Sequence, residues 1–125
     1  MHALGILISD WLKRLQDTET PYPGVVAYHF GLLDGEDNFY LFLIGSKEYD
    51  EDDNDWVFVI DYEPEEKYLA IPPALTKGLI LEEMMDQVAA HLEKILSLPE
   101  WADLFINKAD HITVGFDKTD LIKIK

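Results

Sequence analysis

The residues best suited to chemistry lie in one short stretch. Glu48, Asp50, Glu51, Asp52, Asp53 and Asp55 place six carboxylates in eight positions, directly ahead of the apolar run Trp56-Val57-Phe58-Val59-Ile60. Like charges at that spacing repel, so they belong at a solvated edge, where a metal or a basic surface meets them. A calcium loop threads through the stretch in part, with Asp50, Asp52 and Asn54 at its first, third and fifth places, the Trp56 carbonyl at the seventh and Asp61 at the twelfth. Asp55 stands where that template needs glycine, Asp61 where it needs a bidentate Glu, and both flanks read as strands, so no EF-hand is expected. Hydrolysis by a carboxylate pair needs acids on opposite walls of a cleft, with environments that split their pKa values. Here the acids crowd one loop, and Asp61 with Glu63 is the best remaining pair.

Other catalytic groups are sparse. Ser9, Ser46 and Ser97 are the only serines and none sits in a nucleophile elbow. Gly45-Ser46-Lys47 follows a strand but lacks the upstream glycine and the following helix of a phosphate loop. His2, His29, His91 and His111 show no metal-ligand spacing, and cysteine is absent. The expectation is therefore no enzyme, no cofactor and no metal site. His29, amid apolar strand residues, reads as a semi-buried, hydrogen-bonded side chain, and Trp11 and Trp101 read as core. Trp56, at the mouth of the acidic stretch, is a candidate aromatic anchor for a protein interface.

The formal charge of −15 is concentrated: Glu48 to Glu66 holds ten acids and no Lys or Arg, so two thirds of the net charge sits in nineteen residues. Nucleic acids and anionic lipid surfaces require Lys and Arg, so neither is an expected partner. The apolar run Met1 to Ile8 lacks a basic flank and is cut at Ser9-Asp10, which argues for a helix rather than a signal or membrane segment. A cysteine-free chain fits the cytoplasm.

The elements that would position the acids follow from periodicity. With 48% hydrophobic residues over 125 positions, one α+β domain spanning 1–125 is expected. Leu4, Leu7, Ile8, Trp11 and Leu15 recur at helical steps, predicting a helix over Ala3 to Gln16 that Pro21 and Pro23 end. Val25 to Leu33 and Phe39 to Ile44 predict a hairpin of central strands around the turn Asp34 to Asn38. Trp56 to Tyr62 predicts a third strand antiparallel to the second, and Pro72-Pro73 an irregular crossing. Leu81, Met85, Val88, Leu92 and Ile95 mark a second long helix. Ser97-Leu98-Pro99-Glu100 has capping-box spacing before a short helix over Trp101 to Ile106. His111 to Phe116 and Leu121 to Ile124, around the turn Asp117 to Asp120, predict a closing hairpin with an exposed edge. The order α-β-β-β-α-α-β-β implies an antiparallel sheet with helices packed on one face.

The stretch Leu43-Ile44-Gly45-Ser46-Lys47-Glu48-Tyr49-Asp50-Glu51-Asp52-Asp53-Asn54-Asp55-Trp56, with Glu63-Pro64 after it, resembles a segment of small acidic bacterial proteins that include immunity proteins of polymorphic toxin systems. The resemblance covers about twenty-five residues. It implies a non-enzymatic protein that binds a basic toxin domain and covers its active site. The contact expected on that basis is Glu48, Asp50, Glu51, Asp52, Asp53 and Asp55 with Trp56, Asp61 and Glu63. Two rival readings use the same features: a small divalent-metal-binding protein, and a structural homodimer joined through Val25 to Leu33 or the edge Leu121 to Ile124.

Overall fold

The computed structural model describes residues 3–20, 23–35, 38–116 and 121–125. Pro21, expected to end the first helix, Glu36 and Asp37 of the expected turn Asp34 to Asn38, and the whole expected turn Asp117 to Asp120 lie outside the described residues. The fold is α+β, with two long helices, α1 (Ala3–Thr18) and α2 (Leu81–Leu96), and five strands: β1 (Ala27–Asp34), β2 (Phe39–Ser46), β3 (Tyr68–Ile71), β4 (His111–Gly115) and β5 (Ile122–Lys123). Among the described residues no helix is long and apolar enough to cross a membrane.

The sheet runs β3-β2-β1-β4-β5, so β1 is its centre. β1 pairs antiparallel with β2, from Ala27 opposite Ser46 to Asp34 opposite Phe39, but parallel with β4, from Ala27 opposite His111 to Gly31 opposite Gly115. The sheet is mixed, which corrects the expected all-antiparallel arrangement. Passage through α2 delivers the chain back to the starting end of β1, and a strand entering there runs the same way as β1.

The third strand is also elsewhere. Asn54–Phe58 is a 3-10 helix, and β3 forms ten residues further along, at Tyr68–Ile71. Asp53 caps the 3-10 turn by accepting a hydrogen bond from Asp55 N at 2.9 Å, and Asp50 accepts one from Asp52 N at 2.9 Å. These local bonds compete with an extended ladder, and they override the β-propensity of Trp56 to Ile60. Of the expected strand, only Tyr62 keeps a bridge, to Gly45.

The expected helix over Trp101 to Ile106 is two separate 3-10 turns, Pro99–Trp101 and Phe105–Lys108, because Leu104 between them is extended. Ser97 does not cap the first of these: it ends α2, where its hydroxyl donates to Lys94 O at 2.8 Å. The Pro72-Pro73 crossing contains the short turn Pro73–Leu75.

Residues alternate across the sheet. Tyr28, Phe30 and Leu32 on β1, Leu41 and Leu43 on β2, Leu69 and Ile71 on β3, and Ile112 and Val114 on β4 share one side. They form a single core with Leu4, Ile8, Trp11 and Leu15 of α1 and Val88, Leu92 and Ile95 of α2. Trp11 Nε1 donates to Glu66 O at 3.0 Å, and Arg14 pairs with the Glu66 carboxylate at 2.7 Å, so α1 holds the turn that feeds β3. The opposite side carries Ala27, His29, Gly31 and Leu33 on β1, Tyr40, Phe42, Ile44 and Ser46 on β2, and His111 and Thr113 on β4.

Candidate functional site: an acidic loop closed over the second side of the sheet

The acidic stretch leaves β2 at Ser46 and returns at Tyr62. Gly45 N donates to Tyr62 O at 2.8 Å and Tyr62 N to Gly45 O at 3.0 Å, so the two ends of the loop are bonded to each other. A second tie runs inside it, where Asp61 Oδ2 accepts from Lys47 N at 2.7 Å. Glu19, at the end of α1, fixes the exit, accepting from Tyr62 Oη at 2.5 Å and from Glu65 N at 3.2 Å. Burial and this acceptor together raise the Tyr62 phenol pKa well above its ordinary value. Loops closed in this way pack on their own side chains rather than on a ladder.

That packing is aromatic. Trp56, only 4% exposed, turns inward and meets His29 edge-on at 6.1 Å, while Val57 joins it over Ala27 in a second, small apolar cluster. Tyr49 stacks flat on His111, with centroids 3.6 Å apart and planes 7° from parallel, and leans on Trp56 at 5.2 Å. Lys123 of β5 reaches back to Glu51 at 3.3 Å and stands 5.9 Å from the Tyr49 ring centre. His29 is buried with its Nδ1 2.9 Å from Thr113 Oγ1, and that burial pulls its pKa down to about 4, leaving the imidazole neutral near pH 7.

The outcome is a cleft of about 670 Å³. Glu48, Asp50, Asp53 and Asp55 line it together with Asp110, Lys47 and the aromatic edges of Tyr49, Trp56 and His111. Glu51 lies on a smaller cleft of about 220 Å³ beside Lys123. Asp52 is exposed and lines neither cleft. Asp61 serves the loop's closure, and Glu63 is bound to Lys67 at 2.9 Å beyond the bridge to Gly45. The expected surface thus divides into four acids on the larger concavity, Glu51 on the smaller one, Asp61 in the loop's closure, and Asp52 and Glu63 outside both. Trp56 is buried support, not an exposed anchor; two residues on, Phe58 is 58% exposed.

Lys47, Asp110, His111 and Lys123 were not singled out from sequence. His111 reaches the cleft because parallel β4 sets it beside Ala27, a pairing no local pattern encodes. Among the described residues no three His, Asp or Glu side chains converge to hold a metal ion. Four of the cleft's acids come from the loop and Asp110 from the residue ahead of β4, so the cleft gathers negative charge from two elements. Set against known proteins, the chain matches no family model, no curated protein and no solved structure.

Proposed function

We propose that this chain is a non-enzymatic, cytoplasmic binding protein that neutralises a basic protein partner, in the manner of the immunity proteins its acidic segment resembles. The observation that carries the reading is the cleft lined by Glu48, Asp50, Asp53 and Asp55, on a loop held from beneath by aromatic packing, and by Asp110 just ahead of β4. A concave acidic surface with apolar backing focuses its field outward, which speeds the approach of a positively charged protein and discriminates against acidic ones. The anchored ends at Gly45 and Tyr62 keep that field in one place before the partner arrives.

The test is a parallel capture from cells that express the tagged chain and its variant carrying Asp50→Asn, Asp52→Asn, Asp53→Asn and Asp55→Asn. A basic protein held by the parent and lost from the variant is the expected result. With that protein in hand, stopped-flow mixing should show the variant associating about tenfold more slowly, with a flatter salt dependence. Equal retention by both chains would end the reading.

A further inference from the structure

The side of the sheet that carries the acidic loop is only half covered. At Ala27 and His29 it lies under Trp56 and Val57, but beyond them the loop gives no cover: Gly31 is buried under the side chain of a neighbouring strand and Leu33 is exposed. There the Phe42 ring lies directly over Gly31, since a Cβ on Gly31 would stand 2.0 Å from Phe42 Cζ. Phe42 meets Tyr68 of β3 at 6.1 Å, and Tyr68 is 51% exposed. This apolar strip runs out to β3, which is an edge strand.

The edge has its own register. Leu43 N donates to Lys67 O at 3.2 Å, and hydrogen-bonded pairs recur at every second residue of an antiparallel ladder. Leu41 with Leu69 and Phe39 with Ile71 therefore share bonds across the ladder, while Tyr68 and Ala70 turn their N–H and C=O groups away from β2. One strand thus offers outward backbone groups and, on the adjoining face, an aromatic side chain. Those are the two components by which an extended segment is added to a sheet: backbone bonds for affinity, alternate side chains for choice.

We propose that the β3 edge receives an extended, basic segment of the partner protein as an added strand, with its apolar side chains laid on Phe42 and Tyr68. The sign of the occupant's charge rests on the basic-partner reading, whereas the edge geometry does not depend on it. Lys67, beside both rings at 5.6 and 5.3 Å from their centres, is already held by Glu63, and Glu65 stands exposed ahead of the strand, so the approach to the edge is negative. A second copy of the chain is the weaker occupant. It would bring a charge of −15 against −15. Pro72 and Pro73, following immediately, restrict β3 to four residues, so self-pairing gains few bonds against that repulsion.

The probe is a hexapeptide alternating lysine and valine, followed in the amide proton–nitrogen spectrum of the whole chain. Saturable shifts at Tyr68 to Ile71, with slowed exchange of the Tyr68 and Ala70 amides, are expected. The glutamate–valine counterpart should bind about tenfold more weakly. Ala70→Pro removes an N–H that β2 does not use, and should abolish the shifts while α1 and α2 keep their spectra; Tyr68→Asp supplies the same loss should the proline variant fail to fold. The chain neutralised at Asp50, Asp52, Asp53 and Asp55 should still bind the peptide at β3, which separates this proposal from the acidic-cleft reading. Shifts confined to residues 47–61, equal binding of the glutamate peptide, or concentration-dependent dimers blocked by Ala70→Pro would each overturn it.

Discussion

On one side of the sheet Tyr28, Phe30 and Leu32 are sealed by two sixteen-residue helices; on the other, Ala27 and His29 lie under an irregular loop, Gly31 lies under the Phe42 ring and Leu33 is exposed. The helical side obtains its cover from a repeating apolar stripe, and its charges point away into solvent. The loop side obtains its cover from three aromatic rings and a handful of carboxylate-to-backbone bonds, which leaves most of its acids facing one cleft. On the reading proposed above, stability and recognition fall on opposite faces of the same strands. A change on one face should be felt mainly in its own currency of folding or of binding.

The largest test of that division is Phe30→Ala. Phe30 is fully buried on the helical side, so its truncation should lower unfolding free energy by about 3–5 kcal/mol in a urea melt. Trp56→Ala should cost about 2 kcal/mol, because its cluster is small and lies at the edge where water and loop can fill the gap. Amide exchange should then quicken in residues 47–58 and stay slow in the helices. Equal losses from the two variants would break the division.

Acid sharpens it next. His29 has a folded pKa of about 4, below the ordinary 6.5, so the unfolded chain binds its proton first. The stability that comes from keeping it neutral is complete above about pH 6.5 and drains as pH falls towards 4, by up to about 3 kcal/mol. Comparing urea melts of the parent and His29→Gln at about pH 7 and pH 4.5 isolates this contribution from the carboxylates common to both. Matching pH slopes would mean that the loop does not shield the imidazole.

The smallest effect is expected at Gly31→Ala. The added methyl would collide with the tip of a side chain rather than with backbone, so Phe42 should swing aside at about 1 kcal/mol. The melting temperature should fall by a few degrees, and the near-ultraviolet dichroism of the aromatic strip should change. An unaltered spectrum would show that the ring does not rest on Gly31.

Much of the helical side was legible in the sequence. Leu4, Ile8, Trp11 and Leu15, and Val88, Leu92 and Ile95, lie at helical steps, and all are buried as that spacing implies. The β1–β2 hairpin was legible for the same reason, since its apolar residues outnumber what one face can hold. Trp56 to Ile60 misled because its composition suits a strand while Asp53, just ahead, caps a 3-10 turn. The parallel docking of β4 has no local signature at all, and with it went Asp110 and His111. The loop acids of the cleft and Trp56 could be named in advance; Asp110 and His111, which close it at the start of β4, could not be placed there.

The loop is shaped by partners far along the chain. Tyr49 of the loop stacks on His111 of β4, and Lys123 of β5 meets Glu51 across 72 positions. Spans of that length close slowly, after helices and hairpins have formed. The walls that Asp110 and His111 give the cleft are therefore in place only in molecules that have completed the sheet. A half-folded chain would carry the same charge without the same shape, so on the proposed reading a partner would meet the finished concavity only after the sheet is complete.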